Sequence, residues 1–456
     1  MNENKLSELE HSSIGKLLWK YSLPAVVGNI VMSTYNVIDR IFIGQGVGAD
    51  AIAGLAITFP LMNISAALGT LIGVGAAARI SIVLGEKNHR LAEQILGNSL
   101  VLTILIALSY SLCFGLFLED ILRLFGASDA TLPYAYDYLW HLIPGFVLIN
   151  LCYSFNNMMR ASGYPGKAMV TMMIGAVINV VLDPIFIFVF DMGIKGAALA
   201  TVIAMGISAA FVMWHFVQPT SILHFKRGIY RLKWRLIATI CSIGAAPFVV
   251  NIAGSFINGI LNNSLYRHGG DSAVGAAGIM FTYTQLLVML IIGVCQGMQP
   301  IVGYNYGAQR FHRLRRAFWL ACAVASAICI IGAVPGVFFT RAIAVAFTTD
   351  PTLIEETCHG VSMAMLAFWF VGFQIVSTNF FQSIGKAGKS IFLSLTRQVL
   401  FLIPLLMLLP RFLALDGVWL SFPASDLCAT VTTAILIMCE FNDLHRRSNA
   451  MLEPKD

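Results

Sequence analysis

Twelve apolar runs punctuate the chain, each long enough to cross the roughly 30 Å of hydrocarbon in a bilayer. Six begin near Leu17, Ala51, Ala92, Tyr134, Ala168 and Ala197, and six more near Leu236, Ala273, Ala317, Cys358, Ser390 and Gly417. Runs of this length leave few choices. Away from water the backbone must satisfy its own polar groups, and segments near twenty residues do so as helices, not as the shorter strands of a barrel. The composition agrees, with 58% hydrophobic and 11% charged residues and a mean hydropathy of +0.79, against roughly 25% charged residues in soluble domains. The sequence therefore predicts an all-α integral membrane protein of twelve transmembrane helices. Residues 1–217 form an amino-terminal six-helix lobe, 218–235 a basic cytoplasmic connector and 236–456 a carboxyl-terminal six-helix lobe.

Charge gives the expected orientation. With both termini cytoplasmic, the inner segments and adjoining helix ends carry 23 of the 29 Lys and Arg residues, Lys455 among them. The outer side keeps 6: Arg40, Arg123, Lys195, Arg267, Arg341 and Arg411. That split follows the positive-inside rule, so the net charge of +6 marks topology and not a nucleic-acid surface. The cluster from Arg310 to Arg316 is expected to be a short cytoplasmic loop, and no nucleic-acid partner is expected. A multi-pass protein of the cell membrane, bathed in lipid and working as a monomer, is the expectation. The nine cysteines are scattered and form no C-x-x-C pair, which favours packing residues over disulfides or zinc ligands.

The two halves repeat one another. Ala51, Phe59, Gly75 and Gly85 match Ala273, Phe281, Gly297 and Gly307 at a constant offset of 222, as Asn157, Gly163, Gly166 and Lys167 match Asn379, Gly385, Gly388 and Lys389. Six spans per half is an even number, so the repeats are parallel and related by an axis along the membrane normal. Two such lobes suit a carrier that alternates between inward and outward access.

Against this apolar background Asp183 stands out, in a run otherwise made of Met, Ile, Val, Leu and Phe. A carboxylate at membrane depth costs at least about 2.5–3.5 kcal/mol on insertion scales and usually handles a proton, an ion or a substrate. Asn179 lies one turn earlier on the same face. Pro184 follows directly, removing a donor and freeing a carbonyl, which predicts a bent helix beside protein or a wet cavity. In the first span, Leu17 to Ile43, lie Pro24, Asn29, Asn36 and Asp39. The competing reading of Asp39 is an interfacial carboxylate paired with adjacent Arg40. At 1.5 Å per residue Asp39, Asp183 and Thr201 lie about 7, 12 and 6 Å in from the outer loops, a depth that lets them share one cavity. The second half has no acid at the position equivalent to Asp183, where F-L-I-P-L-L surrounds Pro404. Its single membrane-depth acid is Asp426 in the last span. Asn251, Met280, Gln285, Met289 and Phe368 are candidate lining for a substrate cavity, as are Asn36 and Asp426. Arg40, Arg79, Arg160 and Arg397 are expected near helix ends.

Over essentially its whole length, from Leu23 and Pro24 to the last span, the chain resembles the multidrug and toxic compound extrusion (MATE) family of secondary transporters. It is most similar to the DinF-type branch, and Y-N-V-I-D-R-I-F-I-G (Tyr35 to Gly44) looks MepA-like. The resemblance implies a cation-coupling cluster of Asp39, Asn179, Asp183 and Thr201, completed by a fourth-span tyrosine, with Tyr138 favoured over Tyr134 and Tyr136. It also implies a bending role for Pro24. The function implied is export of bulky, often cationic amphiphiles in exchange for H+ or Na+.

Elementary electrostatics points the same way. Two carboxylates at close quarters in a low-dielectric cavity repel, and a shared proton or hard cation relieves the repulsion. Proton and sodium remain alternatives at this point. A lipid or lipid-linked-sugar flippase of the same superfamily is the second candidate, disfavoured because a pyrophosphate calls for several deep cations. An enzyme is not expected, since no histidine finds a Ser or H-E-x-x-H partner. No cofactor is expected beyond the coupling ion, and the lack of G-x-x-x-x-G-K-[ST] leaves an ion gradient as the energy source.

Overall fold

The computed structural model describes residues 3–452, and every regular element among them is helical. Lys455, counted above with the cytoplasmic charges, lies outside the described residues. Nine described helices are long and apolar enough to cross a membrane, or ten when Pro351–Ala364 and Phe368–Ser383, bent by 51°, count as one broken span. One of the nine, Trp234–Gly307, runs for 74 residues. At 1.5 Å per residue it would be about 110 Å long, several bilayer thicknesses. It is interrupted at Gly270, whose φ of 67° and ψ of −161° belong to a region only glycine enters cheaply. Dividing it there and adding the polar-studded first helix, Ile14–Gly46, reaches the expected twelve.

The chain forms two compact units. One comprises Met1–Ser12 and Leu23–Phe248, the other Ser13–Ser22 and Val249–Asp456. In the first unit the helix Ala49–Gly85 lies against Phe146–Ala161 through small and polar residues. Asn150 Nδ2 donates to Ser65 Oγ at 3.0 Å, and Ser154 Oγ donates to the carbonyl of Gly69 at 2.9 Å. Such packing suits a membrane interior, where apolar contact alone does not favour helix association over lipid. The connector is strapped to the same unit. Asn98 accepts from the Lys233 amide at 2.8 Å and donates to the carbonyls of Ile229 and Arg231 at 3.1 and 3.2 Å.

The offset of 222 reappears as geometry. In the first unit a Cβ on Gly244 would stand 1.7 Å from the Leu71 carbonyl oxygen, and one on Gly75 would stand 2.0 Å from that of Ile240. In the second unit a Cβ on Gly297 would stand 2.5 Å from the backbone nitrogen of Ser22. Gly75 and Gly297 are repeat partners, and so by the same offset are Ser22 and Gly244. One close helix crossing is thus built twice, once in each unit.

In the second unit the buried carboxylate of Glu440 takes Lys386 Nζ at 2.5 Å and Lys389 Nζ at 2.7 Å. Phe318, Phe380 and Phe441 pack around one another with centroids 5.0–5.7 Å apart.

Candidate cation site

The helix Pro165–Pro184 carries Asn179 and Asp183 one turn apart, so both project from one face. Beyond Pro184 the chain widens into a π turn, Ile185–Val189, which is how the predicted disturbance at the proline is realised. Asp183 is fully buried and Asn179 nearly so, at 0% and 1% exposure. Asn179 Nδ2 reaches two acceptors, Asp183 Oδ1 at 3.4 Å and Thr201 Oγ1 at 3.2 Å. Thr201 comes from the next helix, Gly193–Val217. Tyr138, on Leu132–Leu142, is buried with its hydroxyl at Thr201.

From the first span, Asp39 brings its carboxyl within interaction range of that of Asp183. Adjacent Arg40 turns elsewhere, placing its guanidinium 5.5 Å from the centroid of the Phe59 ring. Asp39, Asn179, Asp183, Thr201 and Tyr138 are together in one cluster of the first unit.

Three oxygens of the cluster are buried without a hydrogen-bond partner in the protein: Asp39 Oδ1, Asp183 Oδ2 and Asn179 Oδ1. Buried polar atoms are rarely left so. Two carboxylate oxygens and an amide carbonyl oxygen are hard donors, able to take a proton or an alkali cation. Tyr35 is a member that the residue pattern alone did not single out. It is buried among Ala176 and Met205, with Asp39 and Asp183 in electrostatic range. Its position one turn before Asp39 was the available signal.

The sequence profile of the MatE family matches residues 24–185 and again 238–408. The chain belongs to the MatE family. The double match follows the internal repeat. Among relatives of this MatE protein, the multidrug export protein MepA of Staphylococcus aureus is 27% identical over 450 residues, spanning 96% of this chain and 97% of its own. MepA of Staphylococcus saprophyticus is 24% identical over 443 residues, with the same coverage. Among solved structures, the MATE multidrug transporter DinF-BH is 36% identical and superposes with a TM-score of 0.87 over 95% of this chain and 97% of its own. A MATE structure in a bent conformation, 22% identical, gives a TM-score of 0.92 over 98% of this chain and 99% of its own. The expected membership, DinF-type and MepA-like, is borne out, as is the all-helical membrane fold.

The remaining predicted residues are dispersed. Pro24 is half-buried within a helix that continues from Ile14 to Gly46. Asn36 is exposed and returns its Nδ2 to the Met32 carbonyl at 2.9 Å. In the second unit Asn251 and Gln285 are exposed and Met289 half-buried, whereas Met280 and Phe368 are in the packed interior. Asp426 is buried and ion-paired, its Oδ1 accepting from Arg397 Nε at 2.7 Å. This corrects the expected location of Arg397. The span begins at Ala387, before the expected Ser390, and ends at Leu408, so Arg397 falls near its middle.

Proposed function

We propose that this MatE protein is a secondary multidrug antiporter of the cell membrane, with both termini cytoplasmic. It exports bulky, often cationic amphiphiles in exchange for a cation handled at Asp39 and Asp183. The reading rests above all on one observation, two carboxyls within interaction range of each other that, with Asn179, present three buried oxygens without protein partners. The multidrug export named for MepA and the multidrug transport named for DinF-BH support the multidrug part.

Two carboxyls within interaction range favour the proton as the exchanged ion, because a single proton turns repulsion into a hydrogen bond. Sodium is the second reading, favoured by Asn179 Oδ1 among the free donors. In the cycle, protonation from outside removes the repulsion within the pair, lowering its charge from −2 to −1, and allows the first and fifth spans to repack. Loss of the proton inward restores a negative site that attracts the next cationic substrate. Each charge moved through the membrane potential is worth about 2.3 kcal/mol per 100 mV, which suffices for uphill export. Purified protein in vesicles, loaded with ethidium and given an imposed pH gradient or an imposed sodium gradient, tests the reading. Dye movement driven by the pH gradient is expected. Movement that ignores both gradients contradicts it.

A further inference from the structure

The second unit holds a charged pair that the exchange at Asp39 and Asp183 does not use. Arg397 lies in a π turn, Thr396–Leu402, near the middle of its span. Its side chain keeps 29% of its surface exposed, while that of Asp426 keeps 5%. The guanidinium spends only its Nε edge on Asp426, leaving the fork of Nη1 and Nη2 without a partner among the described residues. Asp426 is braced from behind. Gln374 Nε2 donates to the Asp426 carbonyl and to Thr430 Oγ1, each at 2.7 Å, and Ser425 Oγ donates to the Arg397 carbonyl at 2.6 Å. Gln374 Oε1 is buried with no partner.

We propose that Arg397 is a recognition site for the carboxylate of a zwitterionic amphiphile, resting on the export reading above. The free Nη fork has the planar spacing that binds a carboxylate through two parallel hydrogen bonds. Asp426 neutralises the arginine between transport cycles and holds the fork in one orientation. That neutrality also selects the ligand. A simple anion would carry an uncompensated charge into a low-dielectric interior, whereas a zwitterion brings its own compensation. A phosphate, with more charge, calls for further cations, and the described cluster supplies only Arg397. π turns occur frequently at functional sites.

The test compares a rhodamine bearing a free carboxylate with the ethyl ester of the same dye, which differ in that one group. Binding to the purified full-length chain is read by fluorescence anisotropy, and export of the ester by vesicles is read separately. In Arg397→Gln the preference for the acid over the ester should fall about tenfold, as expected for loss of a charged hydrogen bond. The double variant Arg397→Met with Asp426→Met should lose the same preference without leaving a lone buried charge, and covers the case in which the single variant misfolds. An unchanged acid-to-ester ratio in both variants, or no binding of the acid to the native chain, overturns the proposal. Absence of ester export by the native chain, with the binding ratio behaving as expected, would contradict the export reading and leave the carboxylate site standing.

Discussion

Asn179 is the residue on which the geometry of the cluster turns, since its single amide nitrogen holds both Asp183 and Thr201. Asn179→Leu should therefore cost about 1–3 kcal/mol, the usual price of orphaning buried polar groups, visible as a lower thermal midpoint, and should also abolish exchange. Asp183→Asn keeps the volume and a hydrogen-bonding group while removing the charge. It should insert and fold as the native chain does and reduce ethidium export to background, whereas native export in that variant would remove the fifth span from the mechanism. At this scale the sequence was informative wherever charge met an apolar run. Asp183, Asn179 and Asp39 are conspicuous for that reason, and helical depth adds Thr201. Tyr138 required family resemblance, because tyrosines crowd positions 134–138 and nothing local separates them. Tyr35 carries no charge to draw attention. Arg397 was misplaced because an early Ala-Gly-Lys stretch is too polar to announce the start of a span at Ala387.

Among the elements, glycine and proline decide where helices approach and where they loosen. Gly244 and Gly75 let two helices touch at the backbone, with no room for even a methyl group. Gly244→Ala should destabilise by about 1–3 kcal/mol or more, as overpacking does. Detergent-solubilised protein followed by size exclusion after graded heating would show the loss, and a midpoint equal to native would mean the crossing is looser than described. The repeat was legible in sequence as a spacing of 222, but its reason was not. Matching glycines at a fixed offset do not say what they touch. Only the packing of Gly297 on Ser22 beside that of Gly75 on the segment around Gly244 reveals a shared crossing. Pro184 was legible as a disturbance, yet the form it takes, a π turn over Ile185–Val189, depends on neighbours distant in sequence.

For the molecule as a whole, two units of similar sequence carry opposite electrostatics. The first unit brings two acids together. The second pairs its buried Asp426 with an arginine. That difference was half legible, since the missing counterpart of Asp183 could be read from F-L-I-P-L-L while the partner of Asp426 could not. The proposed antiport at the acidic pair would make substrate and cation competitors, and linkage requires each to weaken the other's binding equally. Dye affinity should accordingly fall as the pH is lowered. The most direct measurement is proton release on dye binding, followed with purified protein in weakly buffered detergent solution. The account predicts that ethidium expels protons from the native chain and none from Asp39→Asn or Asp183→Asn. Dye binding to the native chain with no proton released, or release undiminished in both variants, would contradict it.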